Sequence, residues 1–167
     1  MINMLILDVD GVLTDGTLYY TADGEVMKGF NAHDGYGLAL LQKAGMKVAI
    51  ISGRRSPALE RRLDDLEIYR RFLGCKDKAA AIKAIADDTA TPFADMAFMG
   101  DDLLDWPAMK LAGLKIAPAS AVAAIRERAD LVTVAAGGAG AVREAVEYIF
   151  EKAGIDILSL AGGDLSQ

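Results

Sequence analysis

The chain has 167 residues, 53% hydrophobic and 25% charged, a length that suits one domain with a full core rather than two independent ones. That composition is too apolar for disorder and too evenly mixed for a membrane span. Twenty-four acidic against 18 basic residues give a formal charge of −6, which sets the bulk field against nucleic acid and against an anionic bilayer as partners.

A single cysteine, Cys75, allows no intrachain disulfide and no thiolate-rich metal site, which suits a reducing compartment. The run from Met1 to Asp8 has no basic leader and meets a carboxylate too early for a signal-peptide core. The expected location is the cytoplasm.

Short apolar runs alternate with longer amphipathic segments, as parallel strands joined by crossover helices require. The first strand is expected at Met4–Leu7. Next, Thr17–Tyr20 and Glu25–Phe30 flank an Asp23-Gly24 turn pair and predict a β-hairpin over about 17–30 that projects from the sheet. A helix at Gly35–Ala44 leads to a strand at Lys47–Ile51, and a helix at Ser56–Leu66 to a strand at Tyr69–Leu73. Asp77–Asp87 reads as helix, Asp95–Met99 as strand, Leu103–Leu111 as helix and Leu114–Ile116 as strand. Ala121–Arg128 is then helical, Leu131–Val134 a short strand and Ala141–Lys152 a closing helix. The fold class is α/β, a doubly wound parallel sheet with a projecting hairpin. Residues 1–160 are read as one domain and 161–167 as a flexible tail able to reach a neighbouring subunit.

In such sheets ligands bind beyond the carboxyl ends of the strands, so the residues that follow each apolar run carry the chemistry. The first strand exits into Asp8-Val9-Asp10-Gly11-Val12-Leu13-Thr14-Asp15-Gly16. The second exits into Ser52-Gly53-Arg54-Arg55, the third into Gly74-Cys75-Lys76-Asp77-Lys78, and the fourth into Gly100-Asp101-Asp102-Leu103-Leu104-Asp105. Several carboxylates, a hydroxyl and an ammonium thus gather on one edge. Acids so placed repel one another without a cation, and oxygen ligands without thiolate select a hard ion, Mg²⁺. The same set holds a phosphoryl group and leaves a carboxylate to attack it in line. A calcium loop is excluded, because Gly11 directly follows the second acid and a strand precedes the motif.

With all four exits in order, the chain resembles the haloacid dehalogenase-like phosphatases. The resemblance implies Asp8 as nucleophile, forming an aspartyl-phosphate, and Asp10 as the acid and base, with its backbone carbonyl on Mg²⁺. It implies Ser52, Gly53 and Lys78 as phosphate-binding, Asp8, Asp10 and Asp101 as metal ligands, and Asp102 as support behind them. Neither place where that family inserts a cap leaves room for one, so the resemblance is to its capless branch. Cover must then come from another subunit, in a homotetramer whose hairpins meet over neighbouring sites.

Further segments sharpen this: Phe30-Asn31-Ala32-His33-Asp34-Gly35-Tyr36-Gly37, Asp105-Trp106-Pro107, and Gly137-Gly138-Ala139-Gly140-Ala141-Val142-Arg143-Glu144. They resemble the branch acting on 3-deoxy-D-manno-octulosonate 8-phosphate, a step that supplies a lipopolysaccharide sugar. Arg54 stands where relatives acting on nonulosonate 9-phosphates tend to carry an acid. His33 and Ala139 stand where the octulosonate branch usually shows arginine, and alanine offers no charge-assisted contact. Arg54 and His33 are the candidate substrate contacts.

Blander roles compete at several positions. Lys76 rivals Lys78 at the start of the same helix, Asp105 fits a first-turn helix acid, and Asp34 fits an N-cap. Cys75 reads as a small packed residue, and Tyr19, Tyr20, Met27 and Phe30 as hairpin packing or subunit contact. A receiver-type signalling domain would carry its acid at the end of the third strand, where Leu73-Gly74 stands instead.

Overall fold

Met4–Leu7 form β1, four apolar residues with no exposed surface at the centre of a six-stranded parallel sheet. A strand buried on both faces has no need of polar alternation, and this run shows none. The computed structural model describes residues 1–162. After β1 come β2 (Tyr19–Thr21) and β3 (Gly24–Met27), an antiparallel pair forming a separate sheet, as the Asp23-Gly24 turn predicts. Then follow α1 (Ala32–Lys43), β4 (Lys47–Ser52), α2 (Pro57–Asp65), β5 (Arg71–Leu73) and α3 (Lys78–Thr89). The second half runs β6 (Met96–Met99), α4 (Trp106–Met109), β7 (Leu114–Ala117), α5 (Ala123–Arg126), β8 (Leu131–Val132), α6 (Ala141–Ala153) and α7 (Ile157–Gly162).

The main sheet is ordered β5-β4-β1-β6-β7-β8. The chain winds outward from β1 to β5, then crosses back to place β6 on the other side of β1. This reversal opens a crevice beyond the carboxyl ends of β1 and β6, the usual ligand position in such sheets. Alternate side chains feed two cores. Leu5, Leu7 and Ile50 pack with Leu38, Leu63, Val146 and Phe150 of α1, α2 and α6. On the other face, Met4, Ile6 and Phe98 pack with Ile82, Ile85, Met109 and Ile125 of α3, α4 and α5.

Several boundaries differ from the sequence reading, each for a local reason. Helix α1 starts three residues early because Asn31 caps it, accepting from the His33 and Asp34 amides at 2.8 and 3.3 Å. Asp34 is therefore not the cap of α1. Its carboxylate reaches α6 instead, accepting from the Arg143 amide at 2.8 Å and the Gly140 amide at 3.3 Å. Burial raises the pKa of Asp34 against the pull of these backbone donors. Helix α4 is one turn long, because the preceding residues are held as a loop by Asp105 rather than wound as helix. Ala161 and Gly162, where the tail was expected to begin, are the last two residues of α7, whose Ile157 and Leu160 pack on the first core. The remaining tail residues, 163–167, lie outside the described residues.

Replacing a fully buried side chain of β1 tests the packing argument. Leu5→Ala is expected to lower stability by about 2–5 kcal/mol, read as a fall in the urea midpoint with an unchanged denaturant slope.

Candidate active site

The first acid continues β1: the Asp8 amide donates to the Met99 carbonyl at 3.0 Å, so Asp8 sits at the junction of β1 and β6. The chain then turns sharply, with the Val9 carbonyl accepting from the amides of Val12, Leu13 and Thr14. Gly11 has φ +88°, and a Cβ there would collide with the Asp101 carboxylate. Glycine at this position thus permits both the turn and the close approach of the β6 loop. At the end of β4, the buried Ser52 hydroxyl accepts from the Arg54 amide at 3.2 Å.

Lys78, the first residue of α3, is buried with its Nζ 2.8 Å from Asp8 Oδ1 and 2.6 Å from Asp105 Oδ1. Asp105 is 1% exposed and its second oxygen accepts from the Asp101 and Asp102 amides at 2.9 and 3.2 Å. It folds over Gly100, where any Cβ would strike it. Asp105 thereby closes the loop that presents Asp101 and simultaneously anchors Lys78. The sequence left its role open between helix acid and site residue; the geometry makes it a brace of the site.

These groups line a cavity of about 520 Å³ together with Asp10, Gly53, Arg54, Lys76 and Asp102. Asp10 turns its carboxylate toward the hairpin, with Lys28 Nζ at 2.5 Å from Oδ1 and Arg54 Nε at 3.8 Å from Oδ2. Asp102 is exposed and accepts from the Leu103 amide at 2.6 Å. Between the two competing lysines, Lys78 bonds to the acids while Lys76 stays exposed on the cavity wall.

Two expected residues are placed differently. Ser52 lies under the cavity surface rather than on it. His33 is not brought to the cavity: the Asn31 cap sets it in the first turn of α1, where it is exposed. Lys28 and Tyr20 were missed. Lys28 is the one cation between Thr17 and Phe30, a signal that was available in the sequence. The Tyr20 hydroxyl accepts from Arg54 Nη1 at 3.0 Å, a contact no local pattern announces.

The electrostatics favour a cation. Carboxylate oxygens of Asp8, Asp101 and Asp105 lie within 4.8 Å of one another. Burial, followed by the nearby Asp105 charge, pushes the Asp8 pKa up to about 6 despite Lys78. Burial, then the charges of Asp105, Asp8 and Asp102, pushes Asp101 up to about 7. For Lys78, burial works against the ammonium, but Asp8 and Asp105 outweigh it and raise its pKa. One ammonium among three carboxylates leaves negative charge unbalanced, and hard oxygen donors fit a divalent ion. Asp105 already spends its oxygens on Lys78 and two amides, so Asp8 and Asp101 are the side chains free to hold it.

A family model described as haloacid dehalogenase-like hydrolase matches residues 74–145. A 3-deoxy-D-manno-octulosonate 8-phosphate phosphatase of Salmonella typhi is 42% identical over 166 residues, covering 99% of this chain and 84% of the relative. Among solved structures, the cobalt-bound deoxy-D-mannose-octulosonate 8-phosphate phosphatase of Haemophilus influenzae superposes with a TM-score of 0.90 at 40% identity, covering 92% of this chain and 90% of that one. The Moraxella catarrhalis phosphatase, in complex with magnesium, phosphate and KDO, gives 0.86 at 36% identity, covering 90% and 86%.

The chain belongs to the haloacid dehalogenase-like hydrolase family. Its matched segment includes Lys78, Asp101 and Asp105, and the carboxylate oxygens of the acidic cluster lie close enough together to share one divalent ion.

The raised pKa values imply a stability cost of ionisation. Asp8 and Asp101 hold protons more tightly in the folded chain than at the ordinary carboxylate value of 3.8. Their contribution to stability is therefore full at low pH and is lost as pH rises through about 6 and about 7. In cation-free buffer this contribution should lower Tm between about pH 5 and about pH 7.5, and excess Mg²⁺ should raise Tm more at the higher pH. Scanning calorimetry with and without Mg²⁺ checks both signs.

Proposed function

We propose that the protein is a Mg²⁺-dependent phosphatase that hydrolyses 3-deoxy-D-manno-octulosonate 8-phosphate to the free sugar acid and phosphate. The observation that carries the reading is the buried Asp8 carboxylate, paired with Lys78 at 2.8 Å on the wall of a cavity that also holds Asp101. An identity of 42% to the named phosphatase, in an alignment that covers 99% of the chain, supports the substrate.

Asp8 attacks phosphorus, the bond to the sugar oxygen breaks, and an aspartyl-phosphate forms. Asp10 gives its proton to the leaving oxygen. It then takes a proton from the water that attacks the same phosphorus, which frees phosphate and restores Asp8. Lys78, the Ser52 hydroxyl and the Gly53 amide hold the phosphoryl oxygens. Asp8, Asp101 and the Asp10 carbonyl would hold Mg²⁺, with Asp102 behind them, and the ion supplies charge neutralisation between carboxylate and phosphoryl group. Different surroundings separate the two acids of the motif: Asp8 faces the acidic cluster and Lys78, whereas Asp10 faces Lys28 and Arg54.

Arg54, half-exposed in the cavity, contacts the polar part of the sugar acid. Residues 1–160 act as one catalytic domain without a cap, in the cytoplasm, in the supply of a lipopolysaccharide sugar. Leu18, Tyr19, Tyr20 and Met27 of the hairpin are exposed, as are Leu103 and Leu104 beside the cavity, which supports a homotetramer whose subunits cover one another's sites. His33, outside its own cavity, would serve a neighbour's. The exposed Ala139 favours one second reading, a nonulosonate 9-phosphate as substrate, because no cation stands there for the octulosonate carboxylate.

Asp8→Asn should reduce phosphate release by about a thousandfold or more while keeping the native circular dichroism spectrum. Retention of near-normal activity would remove the nucleophile from the scheme. Chelation of Mg²⁺ should stop turnover, and its return should restore it. With both keto-acid phosphates assayed in parallel, kcat/KM should favour the eight-carbon substrate by about tenfold or more, and the opposite order selects the second reading.

A further inference from the structure

Lys28 stands outside the chemistry assigned above, and its surroundings are unlike those of a surface lysine. It follows β3 at the root of the hairpin with its side chain 1% exposed. Its Nζ lies 2.5 Å from Asp10 Oδ1 and 3.2 Å from Glu25 Oε1. That Glu25 oxygen is buried without a hydrogen-bond partner among the described residues, so the Lys28 charge is its nearest compensation. Beside the other oxygen of Asp10 is Arg54 Nε at 3.8 Å, and Arg54 in turn bonds the Tyr20 hydroxyl on β2. Two hairpin residues therefore bracket Asp10, one directly and one through Arg54.

Burying an ammonium carries a desolvation penalty that an apolar side chain would avoid. Here it falls on the carboxylate that transfers protons in the reading above, on which this inference rests. Proton transfer needs the acid within hydrogen-bond reach of the leaving oxygen, and small misplacements cost large factors in rate. Among the described residues, Lys28 is the one hydrogen-bond donor to the Asp10 carboxylate.

We propose that Lys28 is a positioning residue: its buried ammonium, backed by Glu25, sets the Asp10 carboxylate in place for proton transfer, so that turnover requires the hairpin root to be seated. Lys28 keeps its own protons. Asp10 passes one to the leaving oxygen and regains one from water, and the balance closes without Lys28. The hairpin thereby does two jobs, with its tip available for a neighbouring subunit and its root holding the acid of its own site.

The test compares wild type, Lys28→Met, Lys28→Arg and the Glu25→Gln/Lys28→Met pair, as full chains with Mg²⁺ and 3-deoxy-D-manno-octulosonate 8-phosphate. Lys28→Met should lower kcat about 100-fold with KM within about threefold of wild type, and Lys28→Arg should recover kcat to within about tenfold. A hairpin anchor without a positioning role would change stability or KM and leave kcat in place. A Lys28→Met kcat within about threefold of wild type overturns the inference, as does equal impairment of Lys28→Arg. In either case the wild type still releases phosphate and the phosphatase reading stands, whereas a wild type that releases none sinks that reading and takes this inference with it. If Lys28→Met fails to fold, the double variant, which removes one charge of each sign, is read by the same criteria.

Discussion

The contact on which the site depends is the buried ammonium of Lys78 between Asp8 and Asp105. It joins three separate pieces of chain: the exit of β1, the start of α3 and the loop after β6. Taking away one member of such a buried group leaves an uncompensated charge, at a cost of about 3–5 kcal/mol. The same contact leaves the cluster short of positive charge, since one ammonium faces three acids. Stability and cation affinity are therefore opposed within a single group of side chains: the negative charge that burdens the fold is the charge that favours a divalent ion.

Asp105 sets the arrangement of the acids and the lysine around it. Its two oxygens bond in different directions, one to Lys78 and the other to the amides of Asp101 and Asp102. The loop after β6 consequently cannot wind into helix, and Asp101 is delivered against Gly11 rather than into solvent. Gly11 completes the arrangement from the opposite side, because its missing Cβ is the space the Asp101 carboxylate occupies. The spacing of acids in the two motifs is thus a consequence of two loops packed face to face.

Within the first motif, two acids separated by one residue end in different environments. Asp8 extends the strand and enters the acidic cluster, while Asp10 lies past it and meets cations from the hairpin and from the end of β4. Two acids of one motif are thereby held by different partners, one from the sheet edge and one from the hairpin. The hairpin belongs to this division as much as the sheet does.

Much of this was legible in the amino-acid order alone. Apolar runs of four residues at Met4–Leu7, Val48–Ile51 and Met96–Met99, spaced by amphipathic segments, can bury both faces in few ways, and Asp23-Gly24 marks a turn, so the central strands and the hairpin followed from local pattern. The acids, Ser52 and Lys78 could be placed at one edge because each lies in the segment by which the chain leaves a strand. What only the tertiary structure decided are the partners: Lys28 on Asp10, Asp105 under Lys78, and Asp34 on α6 rather than α1. Each of these is settled by which side chain finds an uncompensated charge or an open amide across a long stretch of chain, and no local periodicity encodes that choice.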